Sequence, residues 1–268
     1  MVTSLFIATG VLYAIACALF LVFLTQGTEG PGRWATRVLG VAVAAHVAFL
    51  ITDYVVAGNI PFGTIHQTLS VASLLMVASY LLALVKYKIT VLGGFITPVT
   101  LLFFLGAGLG YSVAQVPPDV RSIILPVHIG VNVLGIVAFA LAFATALAYL
   151  IQERLVRRKR LGGVFKRLPP LDQLDSLGFR LVTIGFPLLT VGIVTGGLWA
   201  VRIEPNAPSI TTSQGFALVA WVVFAGVLLL RIAAGWQGRR AAIGTMFGFA
   251  CATAVLVGYM LQSGGGSH

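Results

Sequence analysis

Eight long apolar runs, each able to cross a bilayer, constrain this 268-residue chain more than any motif in it. Backbone N–H and C=O groups find no water in hydrocarbon, so each run must pair its own backbone as an α-helix, and about 20 residues suffice to cross. The runs fall at roughly 3–25, 34–57, 64–86, 89–113, 123–151, 178–201, 213–236 and 241–262. Composition agrees, with 59% of residues hydrophobic and 9% charged, well beyond what a soluble core requires. The predicted fold class is all-α: a polytopic membrane protein of about eight transmembrane helices, with residues 1–268 forming one domain. Span one carries no basic leader and no small-residue cleavage site, so it is expected to be a retained helix and not a signal peptide.

Charge orients the spans, because lysine and arginine accumulate on the cytoplasmic side of short loops. With the N-terminus outside, Arg33, Arg37, Lys86, Lys88, the cluster from Arg154 to Arg167, Arg180, Arg231, Arg239 and Arg240 all fall inside. Only Arg121 and Arg202 lie outside. Both termini are therefore expected outside, and the net charge of +10 is a topology signal. The run Arg154 to Arg160 directly follows an apolar span, so its expected partner is the lipid bilayer and not nucleic acid. Residues 152–177 form the longest polar stretch, expected as a basic cytoplasmic loop too short for a domain but able to dock a cytoplasmic protein. The expected location is a bacterial cytoplasmic (inner) membrane, crossed several times.

Two cysteines, Cys17 and Cys251, stand alone in the first and last spans. Without a Cys-x-x-Cys pair the chain cannot exchange thiols, and without Cys-x-x-Cys-His it cannot attach haem covalently. Both read as small packing residues.

Imidazoles are the main carriers of chemistry. An ionisable or metal-binding side chain inside a membrane is costly and points to function. His46 lies some 12 residues into span two, roughly 18 Å from its inner end, and Asp53 follows two turns later on the same face. His66 opens span three from outside, after Asn59-Ile60-Pro61-Phe62-Gly63. His128 opens span five from outside, after Pro126, with Asn132 one turn below it. His268 ends the sequence, in a segment Gly264-Gly265-Gly266-Ser267-His268 that reads either as a flexible tail or as an appended remnant. Paired imidazoles on facing helices form axial sites for haem iron, so non-covalent b-type haem is the candidate cofactor. Trp199, Phe216 and Trp221, near the outer ends of spans six and seven, are candidates for an aromatic wall. Each histidine also has a plain alternative, a hydrogen bond to a neighbouring helix, and each aromatic has another, the interfacial belt.

Several ordered blocks carry a resemblance. Leu125-Pro126-Val127-His128-Ile129-Gly130-Val131-Asn132, followed by Ala148-Tyr149-Leu150-Ile151-Gln152-Glu153-Arg154, resembles the central helix of the CcsA/CcmC/HemX cytochrome c assembly family. Leu168-Pro169-Pro170-Leu171-Asp172 and the stretch Gly185 to Gly196 resemble the next loop and helix. Ala220-Trp221-Val222-Val223-Phe224 and Gly235-Trp236-Gln237-Gly238-Arg239-Arg240 resemble the penultimate helix and the turn after it, and Ala45-His46-Val47 is similar to the second helix of short members.

The resemblance covers nearly the whole chain and implies haem handling: haem held at the outer face by paired histidines beside a tryptophan-rich segment, then passed to apocytochrome c. It implies His128 as the first outer ligand, His268 near the position of the second, and His46 as an intramembrane ligand receiving haem from inside. One departure stands out. Where the family's haem-ligating enzymes carry a loop like Trp-Gly-x-x-Trp-x-Trp-Asp, this chain has Ser209-Ile210-Thr211-Thr212-Ser213-Gln214-Gly215-Phe216. It is more similar to short eight-helix HemX- or YpjD-like members, and it places His66 where those usually have an acidic residue.

The expected function is thus haem delivery, export or its control during cytochrome c maturation, without turnover by the chain itself. Axial ligation is expected from His128 with His268 or His66, with His46 as a transient ligand and Trp199 and Trp221 flanking. Expected partners are haem and a second membrane subunit of cytochrome c maturation. The other reading is a scaffold without haem that docks a cytoplasmic haem-synthesis enzyme or assembly factor through residues 152–177. A proton relay through His46 and Asp53 is poorer, since acidic residues in the spans are scarce. Gly192 with Gly196, and Gly244 with Gly248, are spaced for close helix approach, and Pro187 is expected to kink span six near its start.

Overall fold

The computed structural model describes residues 1–26, 28–57, 64–87, 89–109, 124–160, 162–203 and 212–264. Among these, eight helices are long and apolar enough to cross a membrane, as the apolar runs predict. They are α1 (Val2–Gln26), α2 (Glu29–Ala57), α3 (Ile65–Tyr87), α4 (Gly93–Gly108), α5 (Ile124–Arg157), α6 (Leu171–Ile203), α7 (Thr212–Ala234) and α8 (Arg239–Gly264). Large apolar side chains such as Val55, Leu82, Leu102, Val222 and Ile232 stay exposed on the helix surfaces, where lipid replaces water as the solvent.

Helix α5 is the hub. It packs along α6, α8, α3 and α4, while α1 lies against α2 and α4, and α7 against α8 and α6. Two core layers lie at different depths. The inner layer joins Phe20 and Leu24 of α1, Leu39 of α2 and Tyr80 of α3 to Ala144 and Ala148 of α5 and Leu174 of α6. The outer layer joins Met76 of α3 and Phe103 of α4 to Phe139 of α5, Val182 of α6, Phe224 of α7 and Phe249 of α8. At its centre the rings of Phe139 and Phe224 stack with centroids 3.8 Å apart.

Lipid tails are as apolar as leucine, so association rests on close packing and polar links between helices. Both predicted glycine pairs supply such packing. A Cβ on Gly244 would overlap Val227 and one on Gly248 would overlap Phe224, which seats α8 on α7. Gly192 and Gly196 seat α6 on α5, as described below.

Two expectations are corrected. Residues 152–177 are not one loop: α5 continues to Arg157 and α6 begins at Leu171, leaving a short link that contains a 3-10 turn, Gly163–Lys166. The polar sequence there extends both helices beyond the apolar slab, where Arg157 pairs with Glu153 one turn back at 2.7 Å. The link is tied down, because Arg167 donates to the carbonyl of Phe23 near the end of α1 and lies over the Phe23 ring. That carbonyl is one that a helix C-terminus leaves without an intrahelical donor. The earlier start of α6 also puts Pro187 well inside the helix and not near its beginning.

At the same end, Asp175 of α6 joins three elements. Arg231 of α7 donates to both its carboxylate oxygens, at 2.9 and 2.6 Å, and the Gly238 N–H donates to Oδ1 at 2.8 Å. Arg231 also lies over the ring of Phe179. Gly235 and Gly238 have φ of 64° and 68°, a conformation that favours glycine, and they make the tight turn from α7 into α8. The two charged side chains are only 12% and 15% exposed, so losing one leaves the other poorly solvated. Asp175→Asn is expected to cost about 2 kcal/mol, measured as a lower thermal unfolding midpoint of the detergent-solubilised protein.

Candidate functional site

Two groups of polar side chains lie within the bundle at different depths. The deeper one centres on His46. The ring is fully buried, and both its nitrogens are engaged: Nδ1 lies 2.9 Å from the Tyr13 hydroxyl and Nε2 lies 2.9 Å from the Ser70 hydroxyl. Phe104 closes the ring edge-on at 4.9 Å. Seven residues on, Asp53 accepts from the Gln67 side chain at 3.3 Å, so the shared face of His46 and Asp53 expected from their spacing is the one turned to α3. Two polar rungs therefore join α2 to α3, and Tyr13 extends one of them to α1. A neutral imidazole has one donor and one acceptor, and both are used here. For His46 to ligate iron, one hydroxyl would have to let go, so in this arrangement the residue is a structural link.

The second group lies at the N-terminal mouth of α5, the end the charge pattern assigns to the outer face. Thr195 of α6 donates its hydroxyl to the Val191 carbonyl at 2.7 Å, and its oxygen lies 3.1 Å from His128 Nδ1. Asn132 donates to the His128 carbonyl at 2.7 Å, with its amide nitrogen 3.2 Å from Nδ1 and 3.3 Å from Nε2. The ring is half-buried and held from two helices.

This placement is possible because of glycine. A Cβ on Gly196 would come 2.7 Å from His128 Cε1, and one on Gly192 would overlap the Asn132 amide. Further down the same seam, Gly185 takes the Phe139 ring and Gly135 faces Leu188. The two small residues on α6 thus make room for two polar side chains on α5.

The other predicted site residues are more scattered. His66 sits in the first turn of α3, 9% exposed, with Nδ1 buried and without a hydrogen-bond partner. That turn is capped by Thr64, whose hydroxyl accepts from the Gln67 N–H at 3.2 Å. Trp221 donates its indole N–H to Thr190 at 3.0 Å and packs on Phe186. Thr190 and Gly192 are about 200° apart around α6, so Trp221 and His128 occupy different faces of that helix, and Trp221 does not flank the imidazole. Phe216 is 40% exposed. Trp199 belongs to α6, but its side chain lies outside the described residues, as does His268. No group of three or more His, Cys, Asp or Glu residues converges among the described residues, although axial ligation of haem needs only two.

Sequence reasoning missed Tyr13, Ser70 and Thr195. Each is a hydroxyl residue on an apolar helix, common as a backbone-bonded group, and only the partner helix reveals its role. Of the residues present, His128 fits an axial ligand best: a half-buried imidazole seated on Gly196 and held in orientation by Thr195 and Asn132. His66, with its orphaned nitrogen on a neighbouring helix at the same side, fits a second donor.

Packing makes two predictions. Gly192→Leu is expected to destabilise by about 1–3 kcal/mol through overpacking, whereas Gly197→Leu, where a Cβ meets nothing within 4 Å, is expected to leave the unfolding midpoint unchanged. His46→Ala strands the Tyr13 and Ser70 hydroxyls, and a loss of about 2 kcal/mol is expected in the same thermal assay.

Comparison with known proteins bears on the whole chain. A family profile described as "Cytochrome C assembly protein" matches residues 3–263. The cytochrome c biogenesis protein CcsA of Synechococcus sp. (strain CC9605) is 27% identical, over 97% of this chain and 94% of its own length. The protein of the same name from Parasynechococcus marenigrum (strain WH8102) is 32% identical over 56% of each chain. That of Nostoc punctiforme is 44% identical over 31% of this chain and 24% of its own length. No solved structure matches. With its family profile matched from the first span to the last, this eight-helix chain belongs to the cytochrome c assembly protein family.

Proposed function

We propose that this protein handles haem in the cytoplasmic membrane, delivering it or controlling its delivery at the outer face during cytochrome c maturation. Family membership, and likeness to proteins named for cytochrome c biogenesis along nearly their whole length, support a role in that process. The observation that carries the finer reading is the setting of His128: a half-buried imidazole at the outer mouth of α5, seated on Gly196 and oriented by Thr195 and Asn132. Haem is the cargo, and what it needs from the protein is a neutral imidazole of fixed orientation and an apolar groove. His128 supplies the first ligand in this reading, with His66 or His268 as the second. His46 would contribute only after release from Tyr13 or Ser70. A second membrane subunit of the maturation machinery is the expected partner.

A scaffold without haem, docking a cytoplasmic haem-synthesis enzyme or assembly factor, is the second reading. The Ser209 to Phe216 segment, without the tryptophan-rich pattern, favours it. A reduced-minus-oxidised absorption spectrum of the detergent-purified, untagged protein separates the two. Stoichiometric haem with sharp low-spin bands is expected, with His128→Ala losing most of it and Gly197→Leu keeping it. Haem content unchanged in His128→Ala would remove this residue as a ligand, and no haem after reconstitution would favour the scaffold.

A further inference from the structure

The inner ends of α5 and α8 enclose a second feature, which the handling of haem at the outer face does not use. Leu147, Leu150, Ile151, Glu153, Arg154 and Arg157 of α5 and Arg158 just beyond it, with Arg239 and Ile243 of α8, line an open groove of about 530 Å³. Its residues are sorted by depth. The arginines stand at the helix ends, and the apolar residues lie below them within the membrane spans: Leu147 is seven residues from Arg154, about 10 Å along the helix, and Ile243 is one turn into α8 from Arg239. The groove is therefore cationic at the interface and apolar beneath it.

Arg239 comes from a part of the chain far from Arg154, Arg157 and Arg158, so local composition alone does not bring it to them. Arg157 is matched by Glu153, and Arg240, next to the groove, lies over the Trp236 ring. Arg154, Arg158 and Arg239 have no carboxylate partner among the described residues. They surround the N-terminus of α8, whose unpaired backbone N–H groups add positive potential. The start of α8 is itself set by the Gly235–Gly238 turn and its bond to Asp175, so Arg239 is held in place.

We propose that this groove is a specific site for an anionic phospholipid of the cytoplasmic leaflet, with the headgroup phosphate on Arg154, Arg158 and Arg239 and acyl chains along Leu147, Leu150, Ile151 and Ile243. Cardiolipin, with two phosphates, matches the excess of three positive charges in the lining best. An acidic soluble partner would meet the arginines but not the apolar floor, which lies within the membrane spans. A neutral lipid would fill the floor but leave the arginines unpaired.

The test is native mass spectrometry of the full chain released from phosphatidylcholine nanodiscs with and without a minor fraction of cardiolipin. Retained cardiolipin adducts are expected for the unmodified protein. Retention should fall roughly fivefold per arginine removed in Arg154→Gln/Arg158→Gln/Arg239→Gln, and stay unchanged in Arg33→Gln/Arg160→Gln/Lys166→Gln, which removes equal charge from the same side. Arg239→Gln alone, at an exposed helix start, covers the case in which the triple variant does not fold, and Ile243→Ser should weaken retention while leaving every arginine in place. Equal loss in both triple variants would reduce the effect to general surface charge and overturn the proposal. A haem absorption band lost in the groove variant while cardiolipin retention is unchanged would assign the groove to haem propionates instead. Lipid retention is read without haem, so this result stands apart from the outcome for His128.

Discussion

The α5–α6 seam is the constraint on which the rest of the structure depends. Helix α5 is the element that touches both halves of the bundle, and α6 is its most intimate neighbour. In lipid, apolar contact alone gives little reason for two helices to choose one another. Glycines on one helix let large or polar groups of the other approach its backbone, and this chain uses them along the whole seam. Gly185 admits Phe139, Gly192 admits Asn132 and Gly196 admits His128. The same contacts that fix the helix pair therefore fix the imidazole, so packing and chemistry share their residues.

Polar groups elsewhere in the membrane follow a different logic. The Tyr13–His46–Ser70 chain and the Asp53–Gln67 pair link α1, α2 and α3 through groups that are nearly all buried. An unpaired polar atom there would bear its full desolvation cost, so these links favour one helix arrangement over its alternatives. At the inner end, Asp175 gathers α6, α7 and the turn into α8 in a similar way. It thereby also aligns α8 against the basic end of α5. Outer site and inner groove are thus both built on α5 and separated by most of its length.

Much of this was legible beforehand. The eight helices follow from the apolar runs, and the close approaches at Gly192, Gly196, Gly244 and Gly248 follow from their spacing. The seven-residue separation of His46 and Asp53 gave their common face. Helix ends were less legible: Arg154 to Arg157 and Leu171 to Leu177 read as loop because hydropathy marks where lipid ends and not where hydrogen bonding ends. The engagement of both nitrogens of His46 could not be read either. Its partners lie 33 and 24 residues away, and many hydroxyls in the spans could have served equally well.

The sequence alone determined that the chain forms helices able to cross a membrane and that its positive charge gathers at their ends, because both follow from transfer of single residues between water and lipid. It also placed the histidines by depth, since the helical rise is constant. Only the tertiary structure decided which groups hold each imidazole, which helix Trp221 faces, and which arginines share a groove. Those outcomes depend on the rotation of each helix about its axis, and that rotation is set by the neighbour against which it packs.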